Sequence, residues 1–106
     1  MVYIGAVDGV VYAFPQDCTD PCTPTWTFQS GDQIVGGSAA VANGVVYIGS
    51  HDDTIYALDA MTGTKLWSYS TTGFGWFTDA PAVLDGVLYA KSYDHNLYAF
   101  ALPSNP

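Results

Sequence analysis

An all-β fold made of one antiparallel unit repeated along the chain is predicted by three observations: composition, the periodic return of short β-rich strings, and turn dipeptides at hairpin spacing between them. The 106 residues are 49% apolar and rich in Tyr, Val, Thr and Gly. All ten acidic residues are Asp, Glu and Arg are absent, and Lys65 and Lys91 are the only basic side chains. That leaves few side chains that favour exposed helix, while supplying β-formers and turn residues. The aromatic content excludes a disordered chain, and no run approaches the ~18 consecutive apolar residues of a membrane-spanning helix. A formal charge of −8 with two lysines excludes the phosphate neutralisation that nucleic-acid binding requires, and disfavours an anionic membrane surface. Neutral ligands, cations and protein surfaces remain as partners.

The repeat is explicit. Val2-Tyr3-Ile4-Gly5 returns as Val46-Tyr47-Ile48-Gly49 after 44 residues and as Leu88-Tyr89-Ala90 after a further 42. Tyr12-Ala13-Phe14 returns as Tyr56-Ala57-Leu58 and Tyr98-Ala99-Phe100, and Trp26 returns as Trp67. The middle copy shows the whole unit. Residues 38–42 form a first strand ended by Asn43-Gly44, and residues 45–50 a second, with Val46 and Ile48 on one face and Tyr47 on the other. Residues 54–59 form a third strand, and Thr62-Gly63 turns the chain into a fourth over residues 65–70. Four antiparallel strands in about 42 residues is the size of a β-propeller blade. A β-sandwich also spaces its strands closely but requires no such sequence period.

The run Ala57-Leu58-Asp59-Ala60-Met61-Thr62-Gly63-Thr64-Lys65-Leu66-Trp67 resembles the tryptophan-docking motif A-x-D-x-x-T-G-x-x-x-W of propellers of the pyrroloquinoline-quinone (PQQ-like) family. The resemblance implies that the indole packs between neighbouring blades near Ala and the Thr-Gly turn, with Ala57, Asp59, Thr62, Gly63 and Trp67 as docking residues. Ala13 and Trp26 carry over in the first copy, where residues 15–25 are three residues longer and Cys18-Thr19-Asp20-Pro21-Cys22 replaces Asp and Thr-Gly. Members of the family include non-enzymatic scaffolds such as outer-membrane assembly lipoproteins. They also include quinoprotein dehydrogenases, rings of eight blades with a calcium-bound quinone at the axis. The adjacent-cysteine disulfide, Glu and Arg of those enzymes are missing here, so the expectation is a non-catalytic chain with no cofactor.

Register gives a further expectation. Met1 takes the place of Val45, so the chain starts inside a second strand, and residues 97–102 form a third strand with no fourth after it. The expected units are an incomplete blade over 1–30, a complete one over 38–70 and an incomplete one over 80–102: about 2.5 to 3 blades in one segment. Propellers close with four or more blades. Each open end is then expected to expose several hundred Å² of apolar surface, worth on the order of 10 kcal/mol when covered. Self-association through the end blades, as a ring or a head-to-tail filament, is one way to cover it; descent from a longer propeller leaves the same faces.

Candidate sites follow from the loops. One rim is expected to collect residues 7–9, His51-Asp52-Asp53, Tyr93-Asp94-His95-Asn96, 31–37 and 71–79. The other carries the tight hairpins and the cysteine loop. Trp76, with Phe74, Phe77 and Tyr93, would offer a flat surface to a sugar ring, or else plug a blade junction. His51 and His95 with Asp52, Asp53 and Asp94 would serve a metal or a proton transfer, or else sit as solvated turn residues. Cys18 and Cys22 are expected to form a short-range disulfide in an oxidising, extracellular or periplasmic location, with two free thiols as the alternative. No apolar leader follows Met1. Phosphate-cradling loops have no signature, since Gly36-Gly37 lacks its Lys-Ser/Thr partner.

Overall fold

The computed structural model describes residues 1–34, 39–71, 75–77 and 80–102. Among them are ten strands and no helix: β1 (Val2–Gly5), β2 (Val10–Phe14), β3 (Trp26–Gln29), β4 (Ala40–Ala42), β5 (Val45–Gly49), β6 (Thr54–Asp59), β7 (Lys65–Ser70), β8 (Ala82–Leu84), β9 (Val87–Lys91) and β10 (Leu97–Ala101). They form three antiparallel sheets of sequential strands, ordered β1-β2-β3, β4-β5-β6-β7 and β8-β9-β10. This is the all-β architecture of propeller blades.

Turn chemistry fixes these strands. Asn43 and Gly44 both take positive φ (52° and 76°), as do Asp85 and Gly86 (51° and 75°), the geometry that matches a two-residue hairpin to the twist of its strands. Three strands are shorter than the sequence suggests. Ser50 leaves β5 because its N–H turns back to the Thr54 carbonyl at 3.0 Å, and Leu102 leaves β10 to donate to the Gly86 carbonyl at 2.8 Å. β4 starts at Ala40; Ser38, where the first strand was expected to begin, lies outside the described residues.

Alternation along the middle sheet sends its side chains into two separate cores. Val46, Ile48, Tyr56, Leu58 and Ala60 face the first sheet and pack on Val11, Ala13 and Trp26. Tyr47, Ile55 and Ala57 face the third sheet and pack on Leu88, Ala90 and Phe77. The period-2 reading of β5, with Val46 and Ile48 opposite Tyr47, is what separates the two cores.

Candidate functional site

The junction between the first and second sheets is built around Trp26. Ala13 lies directly opposite Trp26 in the β2–β3 ladder, and its small side chain leaves room for the indole on that face. The indole crosses to the second sheet, where Nε1 donates to the Ala60 carbonyl at 3.0 Å. Tyr3 donates its hydroxyl to the same carbonyl at 2.9 Å, and its ring lies 5.8 Å from the indole.

The receiving turn is held by Asp59, whose Oδ1 accepts from the N–H groups of Met61 and Thr62 at 2.8 and 3.2 Å, while Gly63 N–H donates to the Asp59 carbonyl at 2.8 Å. Thr62 closes it through Thr64 at 2.9 Å. Gly63 has φ +78°, and a Cβ there would stand 2.5 Å from the indole. The motif is therefore shared between sheets. Ala13 and Ala57 lie beside the Trp of their own sheet, whereas Asp59, Thr62 and Gly63 shape the seat for the Trp of the preceding one.

Trp67 repeats half of this arrangement. It lies opposite Ala57 in the β6–β7 ladder and packs 5.6 Å from the Phe100 ring. Leu102 stands where the first junction has Ala60, and Ala101 where it has Asp59. Trp67 is only half-buried, beside a cleft of about 480 Å³ lined by Tyr47, Leu66, Val83, Asp85 and Leu102 among others.

On the loop rim, the expected segments meet. Gly31 N–H donates to Asp52 Oδ2 at 2.9 Å, His51 N–H to the Gln33 carbonyl at 2.8 Å, Gly75 N–H to Asp53 Oδ1 at 3.1 Å and Tyr93 N–H to the Trp76 carbonyl at 2.9 Å. His51 stacks on Trp76 at 4.2 Å, nearly parallel, and Tyr93 lies 5.7 Å from the same indole. Trp76 is 37% and Tyr93 57% exposed. Phe77 corrects the rim assignment: its ring is buried in the second core, so it plugs a sheet junction and faces no ligand. Phe74 lies outside the described residues. His95, at φ 72°, is an exposed turn residue that the structure does not bring to His51 as part of a cation-binding group.

Three of the rim carboxylates also close their own turns. Asp8 accepts from Val10 N–H and the Tyr12 hydroxyl (3.0 and 2.6 Å); Asp52 accepts from Thr54 N–H at 3.1 Å and the Tyr56 hydroxyl; Asp94 accepts from Asn96 N–H at 3.0 Å and the Tyr98 hydroxyl. The bond from Tyr12 holds the Asp8 carboxyl below its ordinary value, and that from Tyr98 does the same for Asp94. Tyr56 is pushed up to about 12, mainly by burial and then by its bond to Asp52. Among the described residues no group of three or more His, Cys, Asp or Glu is placed to hold a cation.

These Asp-x-x-x-Tyr clasps recur in all three sheets, and the residue spacing that encodes them was present in the repeat, although sequence reading singled out only the carboxylates. Tyr3 and the Ala60 carbonyl were missed because a backbone acceptor leaves no compositional trace. Cys18 and Cys22 are joined in a disulfide with Cα atoms 5.2 Å apart, in the β2–β3 loop. No helix among the described residues is long and apolar enough to cross a membrane.

The first sheet turns Val2, Ile4, Tyr12 and Phe14 away from the second; the third sheet turns Tyr89, Leu97 and Ala99 away from it. Ile4 is 49% exposed against 1% for its repeat equivalent Ile48, and Leu97 69% against 1% for Ile55.

The family model described as "Outer membrane protein assembly factor BamB" matches residues 6–102. A 51-residue stretch is 41% identical to quinoprotein alcohol dehydrogenase PedE of Pseudomonas putida, covering 45% of this chain and 8% of that protein. The chain thus spans under a tenth of the length of this curated relative. Among solved structures, BamB from Moraxella catarrhalis superposes with a TM-score of 0.73 at 26% identity, over 90% of this chain and 28% of that one. A europium-containing methanol dehydrogenase superposes at 0.74 and 23% identity, over 94% of this chain and 21% of that one, a likeness of fold.

Proposed function

We propose, from the premise that this chain belongs to the PQQ-like β-propeller repeat family whose model is described as outer membrane protein assembly factor BamB, that it is a non-catalytic structural and interaction module. It self-associates through its two end sheets into a closed ring or a head-to-tail filament. The observation that carries this reading is the contrast in burial at equivalent positions: side chains sealed in the middle sheet stand in water on the outer ones. Covering about 400 Å² of apolar surface at ~25 cal/mol per Å² favours association by about 10 kcal/mol before the cost of immobilising the partners. Two copies would supply six sheets and three copies nine, the first within the usual range of closed propellers. The disulfide and the relationship to BamB support an extracellular or periplasmic location.

The test is the mass of the 106-residue chain by light scattering across micromolar concentrations. Dimers, trimers or a growing series are expected, and a folded monomer throughout overturns the reading. A second reading, a neutral ligand such as a glycan held on the rim, is favoured by the exposed rings of Trp76 and Tyr93. It predicts quenching of tryptophan fluorescence on glycan titration, abolished in Trp76→Ala. The alternative in which the chain is a fragment of a quinoprotein dehydrogenase rests on the PedE relationship and predicts a shift in melting temperature on adding quinone and calcium.

A further inference from the structure

The geometry points to a specific junction between copies: the outer face of the third sheet of one copy lies on the outer face of the first sheet of the next, in the register that the first sheet already uses against the second. This rests on the self-association reading and names its partner surface. Within the molecule one type of face, carrying Tyr3, Val11 and Ala13, meets another type, carrying Val46, Ile48, Tyr56 and Leu58. The pairing is used again one repeat later, where Tyr47, Ile55 and Ala57 meet Leu88, Ala90, Tyr98 and Phe100.

Neither outer face is new chemistry. Tyr89, Leu97 and Ala99 occupy the repeat positions of Tyr47, Ile55 and Ala57, the donor type. Val2, Ile4, Tyr12 and Phe14 occupy those of Val46, Ile48, Tyr56 and Leu58, the acceptor type. The chain therefore presents, at opposite ends, the two halves of a contact it makes twice internally. A face meeting its own kind has no precedent in the fold, so the interface is heterologous and propagates.

Two departures define how this junction differs from the internal ones. Lys91 stands where the internal junctions have Gly5 and Gly49. At those glycines a Cβ would run into Ile34 and Phe77, side chains brought by the segment that leads into the next sheet. In the acceptor sheet, the Cys18–Cys22 loop replaces the Thr62-Gly63 seat for an incoming indole. The contact between copies is consequently one of strand faces, without the Ile34- or Phe77-type plug or the docked tryptophan.

The experiment is complementation between two capped variants of the full chain. Ile4→Asp spoils the acceptor face and Leu97→Asp the donor face; both positions are exposed, so each variant is expected to keep the wild-type far-UV circular dichroism, and to melt lower than the wild type only by the stabilisation that assembly supplies. By sedimentation at concentrations on the order of tens of micromolar, each variant alone is expected to be monomeric. Their equimolar mixture is expected to form a heterodimer, each keeping the face the other has lost, and the double variant to remain monomeric with either. A single variant that dimerises alone, or a mixture that stays monomeric while the wild type assembles, overturns the head-to-tail register and leaves self-association standing. A monomeric wild type overturns both.

Discussion

The two sheet junctions use repeat-equivalent strands, tyrosines (Tyr3 and Tyr47) and tryptophans (Trp26 and Trp67), yet the first closes on its indole and the second leaves it half-buried. The frame is common to both: Ala60 N–H donates to the Gly44 carbonyl at 2.9 Å as Leu102 N–H does to that of Gly86 at 2.8 Å. What differs is the receiving turn. The first has the Asp59 cap, an alanine carbonyl open to two donors and a glycine in the left-handed region; the second has Ala101 in place of Asp59 and Leu102 in place of Ala60, and the positions equivalent to Thr62 and Gly63 lie outside the described residues. An indole is thus not a docking device by itself. It becomes one when the next sheet supplies a polar acceptor for its N–H and a surface without a Cβ for its ring.

The largest effect that would break this comparison is removal of the indole. Trp26→Ala is expected to destabilise the chain by about 4 kcal/mol, and Trp67→Ala, half-exposed and with less packing to lose, by about 2 kcal/mol. Urea denaturation of both variants measures the gap; equal losses would mean that seating contributes nothing. Next comes the seat. Gly63→Ala combines a left-handed backbone with a methyl group driven into the indole, for about 3 kcal/mol. Gly44→Ala is the matched control: its φ is +76°, but nothing stands within 4 Å of the added carbon, so only the backbone cost of about 1 kcal/mol applies. The difference between the two alanine variants isolates packing on Trp26. Reducing Cys18–Cys22 is expected to cost less than Gly63→Ala. Opening a short loop costs about 2 kcal/mol in chain entropy, and since this loop lies outside both cores, the fluorescence of Trp26 should not change with it.

Much of this was legible in the sequence because repetition converts weak local signals into a pattern. The hairpins follow from Asn43-Gly44 and Asp85-Gly86, the faces from alternation around Tyr47, and the docking turn from Asp59, Thr62 and Gly63. What was not legible depends on contacts between sheets. In sequence Phe77 and Trp76 share the same two alternatives, rim surface or junction plug; only the three-dimensional path of the chain, with the Phe77 N–H bonded to the Ser50 carbonyl at 3.2 Å, turns the one inward and leaves the other on the rim. The division of the motif between two sheets is equally invisible along one strand, since Ala57 and Gly63 are six residues apart in sequence but serve different tryptophans.

The finest comparison is between the Asp–Tyr clasps of the two junctions, and pH separates them. Tyr56 is buried between the first and second sheets, whereas Tyr98 owes its raised value first to the hydrogen bond with Asp94. An unfolded phenol gives up its proton near 10, the folded Tyr56 at about 12. Between those values the unfolded chain has lost a proton that the folded chain retains. The contribution of Tyr56 is therefore complete below pH 10 and is lost progressively as the pH rises towards 12. Alkaline titration followed by tyrosinate absorbance should show a late component that is missing in Tyr56→Phe, and the fall in urea midpoint over the same range should be shallower in that variant. In Tyr98→Phe the late component should persist. If it vanished there instead, the bond to the carboxylate rather than burial at the first junction would control the titration.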